Sequence, residues 1–286
     1  MAVPEGPISV PQIRGRKGNS RIAVLTAYDA PTARLLDESG IDVVLVGDSV
    51  GNVILGYENT LPVSMDEMLH HLRAVCRGVT RALVVADMPF LSYQAGMEDA
   101  VRNAGLFIKA GAGAVKVEGG LEIVDTVKRL VELGIPVMGH VGLTPQKVNQ
   151  FGGFKMQGRD AQSAFAIYQS ALAVEKAGAF SLVLESVPHI LAGMITRDCP
   201  VPVIGCGAGP DCDGQVLVFN DVAGLSTDPP KFAKAYAQGR KLFIDAVKGY
   251  TSDVQGGNFP PDSGGGALPP AELAELVRLT GSIHKP

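Results

Sequence analysis

Eight short apolar runs recur along the chain, at residues 22–28, 41–47, 82–86, 114–117, 136–139, 180–184, 201–205 and 215–219. Most are rich in Val, Ile and Leu and show little alternation with polar residues. A strand that is apolar on both faces must be covered on both faces, as in a parallel sheet flanked by helices. The intervening stretches read as helices. Residues 31–39 end at Gly40, 98–110 at Gly111, 122–133 at Gly134 and 160–177 at Gly178, each glycine suited to a helix C-terminus. Ser64-Met65-Asp66-Glu67 opens another helix as a capping box. Residues 188–197 and 230–248 complete the set. Eight alternations of strand and helix predict a closed (β/α)₈ TIM barrel. The alternative, a doubly wound open sheet, normally places a glycine-rich turn after its first strand. Thr26-Ala27-Tyr28-Asp29 lacks one. The span from Cys206 to Gln215 is too short for a full helix, so one connection is abbreviated.

With 286 residues, 46% of them hydrophobic, the chain can bury one large core. Residues 1–250 are assigned to a catalytic barrel with an N-terminal extension. Residues 251–286 are assigned to a flexible Gly/Pro-rich tail that ends in a short helix at 271–280. A formal net charge of −4 argues against nucleic-acid or membrane-surface partners, which favour a basic excess. The basic cluster Arg14-Gly15-Arg16-Lys17 reads as a solvated loop. Cys76, Cys199, Cys206 and Cys212 show no CxxC spacing, which predicts free thiols in a reducing compartment. No apolar stretch resembles a secretory signal or a transmembrane span, and the expected location is cytoplasmic.

The ionisable residues fall at informative places. Asp48 closes the second apolar run, Asp87 the third, Lys116 and Glu118 the fourth, His140 the fifth and Glu185 the sixth. In a parallel barrel those ends surround one mouth. Carboxylates gathered there repel one another, and a hard divalent cation with oxygen ligands relieves that repulsion. Asp48, Asp87 and Glu118 are therefore expected to bind Mg²⁺ directly or through water. Each residue also has a plainer reading. Asp48 or Asp87 could cap a helix, Lys116 could pair with Glu118, and His140 could be a satisfied loop histidine. Gly205-Cys206-Gly207-Ala208-Gly209 could form an anion nest or merely shape the short connection.

At these residues the sequence resembles ketopantoate hydroxymethyltransferase. The resemblance rests on Leu25-Thr26-Ala27-Tyr28-Asp29, Val46-Gly47-Asp48-Ser49-Val50-Gly51, Leu55-Gly56-Tyr57-Glu58-Asn59-Thr60-Leu61-Pro62-Val63 and Val85-Ala86-Asp87-Met88-Pro89-Phe90. It continues through Ala114-Val115-Lys116-Val117-Glu118-Gly119, Met138-Gly139-His140-Val141-Gly142-Leu143-Thr144-Pro145-Gln146, Leu184-Glu185 and Asp213-Gly214-Gln215-Val216-Leu217. The resemblance implies a barrel of the phosphoenolpyruvate/pyruvate-type metal-dependent class, and Mg²⁺. It also implies 5,10-methylenetetrahydrofolate as one-carbon donor, 3-methyl-2-oxobutanoate as acceptor and 2-dehydropantoate as product. The same resemblance assigns Asp48, Asp87 and Glu118 to the metal, Ser49, Asp87 and Lys116 to the oxo acid, and Glu185 to the general base. Asp48 and His140 are further expected to help hold the substrate. A homodecamer is the implied assembly. The chain departs from the family pattern at Cys206, where an aliphatic residue is usual, and in its glycine-rich tail.

Three other functions fit parts of this pattern. An isocitrate lyase or phosphoenolpyruvate mutase-like enzyme would share barrel, Mg²⁺ and oxo-acid chemistry. The lyase needs a Lys-Lys-Cys-Gly-His run that this chain lacks. A Schiff-base aldolase would use Lys116 as nucleophile. A non-catalytic oxo-acid-binding barrel has no need of Lys116, Glu118 and Glu185 together.

Overall fold

The computed structural model describes residues 6–261 and 265–281. Contacts divide the chain into two compact units, Met1–Ala237 and Gln238–Pro286. In the first unit, eight parallel strands close into a barrel in sequence order: β1 (Ile22–Thr26), β2 (Val43–Val46), β3 (Leu83–Asp87), β4 (Ala114–Glu118), β5 (Val137–Gly142), β6 (Ser181–Glu185), β7 (Val203–Cys206) and β8 (Gly214–Leu217). β8 pairs with β1 and completes the ring. Each apolar run in the sequence supplies one strand, and the open-sheet alternative is excluded.

The helices of this unit are α1 (Val10–Arg14), α2 (Ala30–Glu38), α3 (Val50–Val53), α4 (Met65–Gly78), α5 (Met97–Lys109), α6 (Val124–Glu132), α7 (Val148–Phe151), α8 (Ala161–Lys176), α9 (His189–Asp198) and α10 (Phe219–Val222). Their ends follow local chemistry. Ser64 and Glu67 form the capping box of α4, and Asp160 accepts the first free N–H groups of α8. No helix separates β7 from β8 among the described residues, as the short spacing requires.

The core has two layers. Between strands and helices, residues such as Val44, Val46, Met68, Leu72, Phe107, Val115, Leu130, Val174 and Leu182 pack together. Inside the ring lie Ile22, Val24, Val43, Leu45, Leu83, Val85, Ala114, Met138, Val183, Ile204 and Val216. Ile8 and Ile13 join this inner group, so the N-terminal extension seals the lower end of the barrel. The basic cluster is not a solvated loop. Arg14 ends α1, Arg16 pairs with Asp42 at 2.5 Å, and Lys17 pairs with Asp213 at 2.7 Å. Two segments of the barrel, before β2 and before β8, are thereby tied to the extension.

The second unit contains α11 (Gly239–Gln255) and α12 (Pro270–Thr280). The helix expected at 230–248 begins instead at Gly239. The Tyr236 N–H is taken by Val222 O, which draws the preceding segment off a helical path. Ser263 and Gly264 of the expected linker lie outside the described residues. Among the described residues no helix is long and apolar enough to cross a membrane.

Candidate active site

Side chains on a strand alternate between faces, so the residues that fill the barrel interior predict which others point inward. Asp87 follows Val85 by two positions. Lys116 and Glu118 follow Ala114, His140 follows Met138, and Glu185 follows Val183. All five therefore continue the inner columns towards the C-terminal ends of the strands. Strand register sets them side by side, with Asp87 opposite Lys116 and Glu118 opposite His140. His140 does not end its strand as expected. β5 continues to Gly142, so the imidazole sits inside the ring and not on a loop.

Asp48 and Ser49 arrive differently. β2 stops at Val46, and the chain turns at Gly47 into α3. A side chain on Gly47 would place its Cβ 2.7 Å from Ser49 Oγ and 3.4 Å from Asp87 Oδ2, so glycine is what permits this approach. The Asp48 N–H then donates to Asp87 Oδ2 at 3.1 Å. Ser49 Oγ lies 2.8 Å from the Tyr28 hydroxyl.

Asp48, Asp87, Lys116, Glu118 and His140 are each no more than 5% exposed, a setting in which an unpaired charge is costly. They answer one another. Lys116 Nζ contacts Asp87 Oδ1 and lies 3.9 Å from Glu118 Oε1. Burial alone would neutralise the Lys116 ammonium. The charges of Asp87, Glu118 and Asp48 outweigh it and hold the proton firmly. His140 Nδ1 lies 3.2 Å from Glu118 Oε1, and Nε2 lies 3.3 Å from Glu185 Oε2. These are charge contacts without good hydrogen-bond alignment. Against burial and the repulsion of Lys116, the two carboxylates raise the His140 pKa to about 9. Glu118 is lowered, because His140, Lys116 and the Gln146 N–H together overcome its burial.

Asp48 is the member left short of compensation. Burial, then the negative charges of Glu118 and Asp87, push its carboxyl up to about 8 despite Lys116 and a bond from Gln146. An added positive charge beside Asp48 would reverse that shift. Among the described residues, no three His, Cys, Asp or Glu side chains converge closely enough to hold an ion alone. The donors nevertheless suit a hard cation. Mg²⁺ commonly takes one or two carboxylates and fills its remaining positions with water and substrate oxygens. Asp48, Asp87 and Glu118 can supply the carboxylates. Asp87 and Glu118 both already have protein partners, and either can reach an ion directly or through water.

The structure also brings in residues that were not singled out in the sequence. Gln146 is buried between Asp48 and Glu118. The Tyr93 hydroxyl accepts the Glu118 N–H at 2.9 Å and lies 2.9 Å from Gln146 Oε1. Neither ends an apolar run, so strand-end reasoning passes over both. Glu185 stands at the rim, its side chain 19% exposed while those of Asp87 and Glu118 are 4% and 3% exposed. Gly207 and Gly209 approach Phe232 and His189 closely, which is the packing role of that glycine-rich turn.

The family model described as ketopantoate hydroxymethyltransferase matches residues 7–262. A relative named 3-methyl-2-oxobutanoate hydroxymethyltransferase, from Syntrophus aciditrophicus, is 56% identical and covers 88% of this chain and 94% of its own. One of the same name from Dehalococcoides mccartyi is 50% identical and covers 96% and 98%. Among solved structures, phosphonopyruvate hydrolase in complex with oxalate and Mg²⁺ superposes with a TM-score of 0.58 at 15% identity, covering 96% of this chain and 95% of its own. A 2,3-dimethylmalate lyase of the PEP mutase/isocitrate lyase superfamily superposes with a TM-score of 0.54 at 15% identity, covering 95% of each. At those identities the likeness is one of fold.

Proposed function

The chain belongs to the ketopantoate hydroxymethyltransferase family, and from that premise we propose that it transfers a hydroxymethyl group from 5,10-methylenetetrahydrofolate to 3-methyl-2-oxobutanoate. The product would be 2-dehydropantoate, on the route to pantothenate and coenzyme A. The observation that carries this reading is the chain of charges Asp87–Lys116 and Glu118–His140–Glu185, buried except at Glu185, at one end of the barrel.

The reaction must remove a proton from a tertiary carbon beside a ketone. Glu185 is our candidate for the general base. It stands at the rim of the cluster, within reach of a substrate entering the mouth. His140 orients its carboxylate. Lys116, held as an ammonium, supplies positive charge for the oxo acid's carboxylate together with the Ser49 hydroxyl. Asp48, Asp87 and Glu118 would hold Mg²⁺, directly or through water. That ion would supply the charge that a developing enolate requires. The oxalate and Mg²⁺ bound by phosphonopyruvate hydrolase, a fold neighbour, support that choice of ion and of substrate shape. Water would open the folate's N–CH₂–N bridge, leaving tetrahydrofolate with two N–H groups and the one-carbon unit at the formaldehyde level. The carbon nucleophile would then attack that carbon, and its oxygen would take the proton held by Glu185 and become the hydroxyl.

Lys116 is poorly suited to a Schiff base, because the surrounding carboxylates keep it protonated. Absence of borohydride trapping with the oxo acid would agree with this, and trapping at Lys116 would favour an aldolase. The deciding experiment is turnover with oxo acid, folate donor and Mg²⁺, with the product identified. Failure to form 2-dehydropantoate would remove the proposal. Full activity with no metal remaining after exhaustive chelation would remove its metal component. We further propose a homodecamer, which sedimentation velocity would test.

A further inference from the structure

We propose that Gln146 is a positioning residue that fixes Asp48 and Glu118 to one separation and one orientation for the cation. This rests on the metal reading given above. Gln146 lies in a one-turn 3₁₀ helix, Pro145–Lys147, just beyond β5, and is 5% exposed. Its main-chain N–H donates to Glu118 Oε2 at 3.0 Å. Its side-chain amide nitrogen donates to Asp48 Oδ2 at 3.0 Å and to Met88 O at 2.9 Å. One residue therefore grips one oxygen of each carboxylate and anchors both to the main chain beyond β3.

The amide cannot serve equally well turned over. Its carbonyl oxygen accepts from Gln94 Nε2 at 2.9 Å and faces the Tyr93 hydroxyl at 2.9 Å. After a flip, that oxygen would face the Asp48 carboxylate and the Met88 carbonyl, two acceptors, while the NH₂ group would meet the Gln94 NH₂ group. The surroundings therefore select one orientation.

Neutrality matters as much as geometry. Lys116 already compensates Asp87. A second cation at position 146 would compensate Asp48 permanently and leave nothing for a metal ion to do. An amide orders the carboxylate without cancelling its charge. Groups that orient metal ligands in this way typically change affinity by roughly ten- to a hundredfold when removed.

The test is divalent-ion binding to the full chain without substrate, read by Mn²⁺ electron paramagnetic resonance and by calorimetry with Mg²⁺. Gln146→Met keeps the volume and the main-chain donor and removes the amide. It should raise the Kd roughly ten- to a hundredfold. At saturating metal the loss should shrink, so the effect falls on metal affinity more than on kcat. Tyr93→Phe, which leaves the Asp48 bond in place, should shift the Kd less and in the same direction. If Gln146→Met fails to fold, Gln94→Met serves instead. It removes a donor that orients the amide and should raise the Kd severalfold. A folded Gln146→Met protein, or failing that a folded Gln94→Met protein, with a Kd within twofold of wild type overturns the proposal and leaves the metal reading intact. A wild-type chain that binds neither ion overturns both.

Discussion

Replacing Asp48 with asparagine should stabilise the metal-free protein. The Asp48 carboxyl is 4% exposed and faces Glu118 and Asp87, and its pKa rises from 3.8 to about 8. At pH 7 the unfolded chain ionises this group freely, whereas the folded chain keeps the proton or bears an uncompensated charge. The folded state binds more protons between pH 3.8 and about 8, so stability falls as pH rises through that window. Each pKa unit is worth about 1.4 kcal/mol, and the gap between 3.8 and pH 7 sets a ceiling of about 4 kcal/mol. Asparagine carries no charge at any pH, and its amide oxygen can still accept the Gln146 bond. For a unit of this size, 1 kcal/mol moves the melting temperature by roughly 2–4 °C, so the ceiling corresponds to roughly 8–16 °C. Thermal unfolding in excess chelator at pH 7 should place Asp48→Asn several degrees above wild type. The advantage should shrink as the pH approaches 4. Mg²⁺ at a hundred times its Kd should then raise wild type by about 2.7 kcal/mol and move the variant little. A metal-free Asp48→Asn protein that melts at or below wild type at pH 7 would refute this account of the site.

Glu185→Gln should retain oxo-acid binding but lose exchange of the tertiary proton with deuterated water, followed by NMR; wild-type exchange would exclude Glu185 as base. Gly142→Ala should slow that exchange and also lower the melting temperature. Gly142 sits at φ +98°, and its Cβ would fall 2.5 Å from Glu185 O, so the insertion pushes on the segment that carries the base. Asp37→Ala should cost roughly 2–3 kcal/mol in denaturant unfolding with Mg²⁺ affinity unchanged, because Asp37 accepts the Thr80, Arg81 and Ala82 N–H groups far from the mouth. Burial raises the Asp37 pKa, but these bonds outweigh it and lower the value. The stability it supplies is present above pH 3.8 and disappears as pH falls through the depressed folded value, so variant and wild type should converge there.

Much of the barrel was legible because a parallel strand buried on both faces leaves an unmistakable apolar signature. The runs at 41–47 and 82–86 became β2 and β3, and the capping box at Ser64 opened α4. Helix onset beyond the barrel was not legible. Nothing between residues 230 and 238 announces that Tyr236 will spend its N–H on Val222. The pairing of the basic cluster leaves no local signal for a similar reason, since Asp42 and Asp213 are remote in sequence from Arg16 and Lys17.

The sequence by itself determined the strand order, the barrel and the acidic residues near the strand ends, because these depend on composition over a few consecutive positions. It could not determine which face of each strand turned inward. Val84 and Val85 are equally apolar, yet Val85 fills the interior and Val84 packs against the helices. That choice belongs to closure of the ring, and it sends Asp87, Lys116, Glu118, His140 and Glu185 to one point. Only the closed structure decided that His140 bridges two carboxylates, that Asp48 lacks a full counter-charge, and that Gln146 ties Asp48 to Glu118. Such contacts join segments up to 98 residues apart and leave no local trace in the chain.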